Sequence, residues 1–180
     1  ELRRYVRLRT GSLPALATAP SCEGVGIAAA PAARLGAFDG VPADVLTAAR
    51  ALKPGQYSIA VRLRSRAPRV WIAGGDDTGT LYGAYRFAER LGVRFQLQGD
   101  VLPDGRIALA DLPDGDETGR PLFDVRGIQP FHDFPEGPDW WSADDYLAYA
   151  GQLAKLRMNF IGLHCYPDGG VGPEPLVWIG

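Results

Sequence analysis

The most constraining stretch of this sequence is residues 124–166, where DVRGIQPFHDF, EGPDWWSADDYLAYAGQLAKLRM and NFIGLHCY lie in series. It reads as strand, loop, helix, strand. The first strand is an apolar run ending in His132 and Asp133. The loop holds Pro135, Pro138, Trp140 and Trp141. Ser142 starts the helix with Asp145 three residues on, the S-x-x-D form of a capping box. Tyr146, Leu147, Ala150, Leu153 and Ala154 recur at helical spacing and predict one apolar stripe. Lys155 and Arg157 fall in the last turn, where the helix dipole favours cations. Asn159 breaks the pattern before a second short apolar run. A strand, crossover helix and strand of this size predicts a βαβ unit with parallel strands.

The segments before it have a different rhythm. Tyr5, Val6, Arg7, Leu8 and Arg9 alternate and read as a half-buried strand. Residues 24–30 are a short apolar run, and residues 31–40 a loop punctuated by Pro and Gly. Residues 42–52 predict a short helix with Val45, Leu46, Ala49 and Leu52 on one face. Tyr57, Ile59, Val61 and Leu63 then alternate with smaller or polar residues, and Val70 to Ala73 returns after a turn. These two segments predict adjacent antiparallel strands. A helix follows, capped by Asp77 or Thr78, with Leu81, Ala84, Tyr85, Ala88 and Leu91 buried and Gly92 as its stop. Val93, Phe95 and Leu97 alternate as a strand. Residues 111–120 are polar and without period, which places a domain boundary there. The expected organisation is an α+β domain over residues 1–115, with a sheet packed on a helix, and a βαβ segment over residues 121–180.

Charge supports two regions. Residues 1–100 carry 14 Arg/Lys against 8 Asp/Glu, and the remainder 5 against 13. The net charge of −2 argues against a nucleic-acid partner. No apolar run is long enough to cross a bilayer. The two cysteines, Cys22 and Cys165, lie far apart and do not suggest a disulfide framework. The chain opens at Glu1 rather than Met, so a removed leader is compatible with it. A secreted or periplasmic location is the expectation.

Ten of the 18 aromatic residues follow Arg120, in the acidic part. Aromatic faces with carboxylates suit a sugar ring, which presents an apolar C–H face and a hydroxyl edge. His132, Asp133 and His164 stand at the C-terminal ends of the two predicted parallel strands, the end where such folds place ligands. They serve a substrate, structure or a metal; a metal-dependent hydrolase is one reading, although the spacing is not diagnostic. Arg126 lies inside an apolar strand and needs a partner, either a carboxylate such as Asp124 or Asp133, or a ligand. Trp140 and Trp141 belong to core or lid, with one of them facing a site. Gly74-Gly75-Asp76-Asp77-Thr78-Gly79 lacks the spacing and Lys of a phosphate loop, and its carboxylates would repel phosphate, so it reads as a turn.

GTLYGAYRFAERLGVRF, residues 79–95, resembles the helix and following strand of the small N-terminal domain of several glycoside hydrolases, including β-N-acetylhexosaminidases and α-glucuronidases. In those enzymes a catalytic (β/α)8 barrel follows. Val125-Arg126-Gly127-Ile128 resembles the first barrel strand of hexosaminidase-like enzymes, and Lys155 to His164 their K-x-x-x-N-x-x-x-x-H approach to strand two. The resemblance spans residues 55–166. It implies the start of a TIM barrel and a carbohydrate partner. Arg126, His132, Asp133, Asn159 and His164 would line its pocket, Trp140 or Trp141 would stack on a ring, and no cofactor is implied. Two departures stand out. Gln129 to His132 intervene before Asp133, and Cys165-Tyr166-Pro167 replaces the aspartate that usually follows the second-strand histidine. The family's Asp-Glu catalytic pair lies after strand four, beyond Gly180.

A complete barrel needs about 250 residues, so the expectation is the N-terminal portion of an exo-acting glycoside hydrolase, inactive alone and completed by the rest of the barrel or a partner chain. The alternative is a non-catalytic carbohydrate-binding or interaction module.

Overall fold

The strands expected at residues 57–63 and 70–73 pair as expected. β2 (Tyr57–Arg62) and β3 (Arg69–Gly74) are antiparallel, with Ile59 opposite Ile72 and Val61 opposite Val70. The computed structural model describes residues 1–16, 24–130 and 138–162. Those residues form a mixed α+β fold that divides into two compact units, one of residues 1–95 and 100–122, the other of residues 96–99 and 123 onward.

In the first unit β2 and β3 are the middle of a four-stranded sheet. β1 (Gly26–Pro31) lies parallel to β3 on one edge, and β6 (Gly115–Gly119) antiparallel to β2 on the other. On one face Tyr57, Ile59, Val61, Val70 and Ile72 pack with Val6 of α1 (Leu2–Thr10) and with Tyr82, Phe87 and Leu91 of the α4 region (Asp77–Arg90). On the other, Ala30, Ala60, Trp71 and Ala73 meet Leu35 of α2 (Ala32–Leu35) and Val45 and Ala49 of α3 (Ala43–Arg50). Covering both faces buries Ser58 and Ala60 as well as the larger residues of β2, so this strand is not half-buried. α2 falls in the segment read as a loop.

Two further expectations fail here. Residues 5–9 are helical, not a strand. Tyr5, Val6 and Arg9 are the buried positions, which is a helix face, and Leu8 points outward. Five residues are too few for the two periods to be told apart. Tyr5 donates its hydroxyl to Asp100 Oδ2 at 2.7 Å, and burial, reinforced by that bond, raises its pKa. The polar segment placed at a boundary contains β6, an edge strand without apolar side chains, and the first unit continues to Leu122.

α4 forms where expected, shifted by one residue and rotated. Asp76 is its cap: Oδ1 accepts from Gly79 N at 2.6 Å and from Gly55 N at 3.0 Å. Gly79 and Gly83 face the sheet. A Cβ on Gly83 would lie 2.7 Å from Ile72 Cγ2, and one on Gly79 would collide with the carbonyl of Gln56. The backbone therefore approaches the sheet through these glycines, and Leu81, off that line, is exposed. The same requirement explains the Gly74-Gly75 turn, where a Cβ would meet the backbone of Thr80 or Lys53.

β4 (Arg94–Gln96) and β5 (Gly99–Val101) form a two-stranded sheet. In the second unit β7 (Gly127–Ile128) and β8 (Phe160–Ile161) are parallel, with α5 (Ala143–Lys155) between them in sequence. The capping box is present: Asp145 N donates to Ser142 Oγ, and Ser142 N donates to Asp145 Oδ2 at 2.8 Å. The expected stripe is buried only in part. Leu153 is covered, whereas Leu147 is 71% exposed and Ala150 is exposed. Two strands of two residues span about 7 Å each and cannot cover a helix of about 20 Å.

Candidate functional site

The parallel βαβ geometry gives the second unit two ends. One holds the start of β7, the start of β8 and the C-terminus of α5. The other holds the end of β7, the turn Pro138–Trp140 and the first turn of α5. The helix between them is about 20 Å long.

Arg126 and Asn159 come together at the first end. Arg126 Nε donates to the carbonyl of Arg157 at 2.9 Å, and Nη1 donates to the carbonyls of Phe123 and Asp124. Asn159 Oδ1 accepts from Arg126 N at 2.9 Å, and Asn159 Nδ2 donates to the carbonyl of Asp124 at 2.8 Å. The main chain closes the junction, with Asn159 N donating to the carbonyl of Arg126 at 2.7 Å. These bonds fasten the strand starts to the helix end. Arg126 and Asn159 thus meet each other at this end, and Trp140 and Trp141 are not among their partners in these bonds. The glycine of the R-G pair has a local reason: a Cβ on Gly127 would collide with the carbonyl of Phe160.

Trp140 and Trp141 lie at the other end, and the structure separates their roles. Trp141 packs against Tyr146, with ring centroids 5.3 Å apart, and against Tyr149, at 4.9 Å. Trp140 closes a 3-10 turn (Pro138–Trp140) and is 59% exposed. The turn is tied to α5: Tyr146 Oη donates to the carbonyl of Pro138 at 2.8 Å, and Trp141 N donates to the same carbonyl at 3.1 Å. Burial pushes the Tyr149 hydroxyl pKa up. Tyr149 went unremarked in the sequence, and Tyr146 was assigned to the apolar stripe. The signal was available, since the two are three residues apart on one helix face.

Asp145 is occupied by capping. Its carboxylate accepts from Ser142 Oγ at 2.7 Å as well as from Ser142 N, and these bonds hold its pKa below the usual carboxylate range. The bonds are those of the capping box read from Ser142 and Asp145 in the sequence. Gln152 is buried within the same unit, where its Nε2 donates to the carbonyl of Gln96 at 2.6 Å and its Oε1 accepts from Lys155 Nζ at 2.6 Å.

His132, Asp133 and His164 lie outside the described residues. Among the described residues no group of three His, Cys, Asp or Glu side chains could hold a metal ion. Among them, too, no helix is long and apolar enough to cross a membrane. The described part of the site is aromatic: Trp140 is exposed to solvent, and its chain neighbour Trp141 packs with Tyr146 and Tyr149 of α5. In comparison with known proteins, no family model matches the chain and no curated protein matches it.

Proposed function

We propose that the chain is the N-terminal portion of a carbohydrate-active enzyme, an exo-acting glycoside hydrolase of the β-N-acetylhexosaminidase or α-glucuronidase kind. On this reading β7, α5 and β8 are the first units of a (β/α)8 barrel. Carbohydrate is the partner, Trp140 supplies the stacking face, and the reacting carboxylates belong to other parts of the protein. One observation carries the proposal. Trp140 is exposed in the turn that precedes α5, next in sequence to Trp141, which packs with Tyr146 and Tyr149. Parallel α/β folds bind ligands at that end. An exposed indole suits the apolar C–H face of a pyranose, and the Tyr146 bond to Pro138 ties the turn that carries it to α5.

Arg126, Asn159, His132, Asp133 and His164 stay in the proposal as candidates for hydroxyl contacts.

The test is a fluorescence titration of the protein with N-acetylglucosamine, glucuronate and their short oligosaccharides, beside hydrolysis assays on the corresponding aryl glycosides. Sugar-dependent quenching that Trp140→Ala lowers at least fivefold, with unchanged far-UV circular dichroism, supports the site. Absence of quenching by every sugar, together with absence of hydrolysis, removes the carbohydrate reading. Quenching without hydrolysis, in the protein expressed from its whole reading frame, selects the non-catalytic binding module instead.

A further inference from the structure

β6 is an edge strand whose sequence, Gly115-Asp116-Glu117-Thr118-Gly119, contains no apolar side chain and two glycines. Such a sequence has low strand propensity, so its place in the sheet needs another cause. Strand alternation sends Asp116 and Glu117 to opposite faces. Each meets an arginine that also binds a carboxylate of the layer covering that face. Arg62 of β2 donates to both oxygens of Asp116, at 2.6 and 2.9 Å, and to Asp44 of α3 at 3.2 Å. Arg86 of α4 pairs with Glu117 through Nε and with Glu89 at 3.3 Å. Just before the strand, Asp114 accepts from the amide of Leu63 at 2.6 Å and pairs with Arg64 at 3.5 Å. The apolar exception is the ring of Tyr57, which lies against Gly119, its partner across the ladder.

The edge strand is therefore clamped by charge from both faces, while β2 and β3 are held by apolar packing. These two kinds of hold respond to solvent in opposite ways. Ion pairs open to water weaken as salt rises, because the screening length falls to about 3 Å at 1 M. Apolar burial does not weaken under the same change. All four clamp side chains, Arg62, Asp116, Arg86 and Glu117, are partly open to solvent.

We propose that β6 is a charge-latched strand that opens on its own, leaving β1, β3 and β2 folded, when its two ion pairs are screened or protonated. The strand leads through Arg120, Pro121 and Leu122 to Phe123, where the second unit resumes, so the latch controls how much of that connecting segment is fixed to the sheet. The acid response has a definite sign. Arg62 holds the Asp116 carboxyl below the ordinary carboxylate range. Its contribution is present above the unfolded pKa of about 4 and is lost as pH falls through the lower folded value. Asp44, Asp114, Glu89 and Glu117 are the other carboxylates of the clamp, and Arg62, Arg64 and Arg86 its cations.

Hydrogen exchange read by mass spectrometry tests this on the full chain. At neutral pH, raising sodium chloride from 10 mM to 1 M is expected to speed exchange of the amides in residues 115–119 by roughly three- to tenfold. The amides of residues 69–74 should stay unchanged. Arg62→Glu should produce the same opening at low salt, and Asp116→Arg added to it should restore protection. Equal exchange in residues 115–119 at both salt concentrations overturns the proposal, as does acceleration that β3 shares. If the charge-reversal variants do not fold, the salt series on the unaltered chain decides alone.

Discussion

Each unit contains a helix that ends against a strand, with an arginine sealing the corner, and the two corners can be laid side by side. In the first, α4 ends at Leu91, Gly92 takes φ 95°, and Val93 N reaches back to the carbonyl of Ala88. In the second, α5 ends at Leu156, Arg157 takes φ 62°, and Met158 N reaches back to the carbonyl of Leu153. Both are Schellman closures. Arg9 Nε donates to the carbonyl of Leu91 at 2.7 Å, and its Nη1 bridges the carbonyls of Pro103 and Gly105. Arg126 does the same at the other corner, with Arg157 for Nε and with Phe123 and Asp124 for Nη1. The motifs match but the surroundings differ. Arg9 is 4% exposed, in a unit whose sheet is covered on both faces. Arg126 is half-buried beside strands that leave Phe160 47% and Val125 68% exposed. The same arginine staple thus serves a finished core and an open one, and its energetic weight is set by burial rather than by its hydrogen bonds.

The largest test of that contrast removes the staples. Arg9→Met leaves three carbonyls at a buried corner without their donor and should cost about 3 kcal/mol in urea unfolding. Arg126→Met, where water can replace the guanidinium, should cost about 1 kcal/mol. Equal losses would break the argument from burial.

A second test uses the glycines inside the helices. Gly83→Ala in α4 places a Cβ 2.7 Å from Ile72 Cγ2 and should destabilise by about 1–2 kcal/mol after the gain in helix propensity. Gly151→Ala in α5 meets nothing within 4 Å and should stabilise by about 0.5–1 kcal/mol. Both are read from thermal unfolding, and a Gly83→Ala protein as stable as the original would show that α4 has room to move from the sheet.

The smallest effects belong to the closures themselves. Gly92→Ala forces a Cβ into a left-handed position 3.1 Å from Pro103 Cγ and should cost about 1 kcal/mol. Arg157→Gly relieves the same conformation and should gain about 0.5–1 kcal/mol. A loss at Arg157 would mean that its side chain contributes more than its backbone conformation costs.

What the sequence disclosed, and what it hid, follows the range of the interactions involved. The Ser142–Asp145 box, the parallel pair around α5 and the β2–β3 ladder rest on contacts close in sequence or on one strong period, and all three are present. β6 was hidden because its strand character comes from Arg62 and Arg86, more than 30 residues upstream in the folded pairing, and not from its own side chains. The rotation of α4 was hidden because glycines, invisible to a hydrophobic count, decide which face touches the sheet. At the candidate site Trp141 packs with Tyr146 and Tyr149 while Trp140 is exposed, a difference that two identical adjacent residues do not reveal in the sequence. For Arg126 the apolar strand around it says only that the charge needs partners, and the carbonyl oxygens of Phe123, Asp124 and Arg157 are among those it has.

The parallel pairing of β1 with β3 matters for the chain while it is being made. Gly26 pairs with Arg69, and Pro31 with Gly74, so each residue of β1 is synthesised 43 positions before its neighbour. At roughly 5–20 residues per second, β1 spends about 2–9 s on the ribosome without the strand it joins. The β2–β3 ladder, by contrast, closes across a six-residue loop as soon as Gly74 emerges. A nascent chain arrested before residue 69 therefore carries β1 as an unpaired edge, and translation speed through residues 32–68 sets how long that edge stays open to other chains.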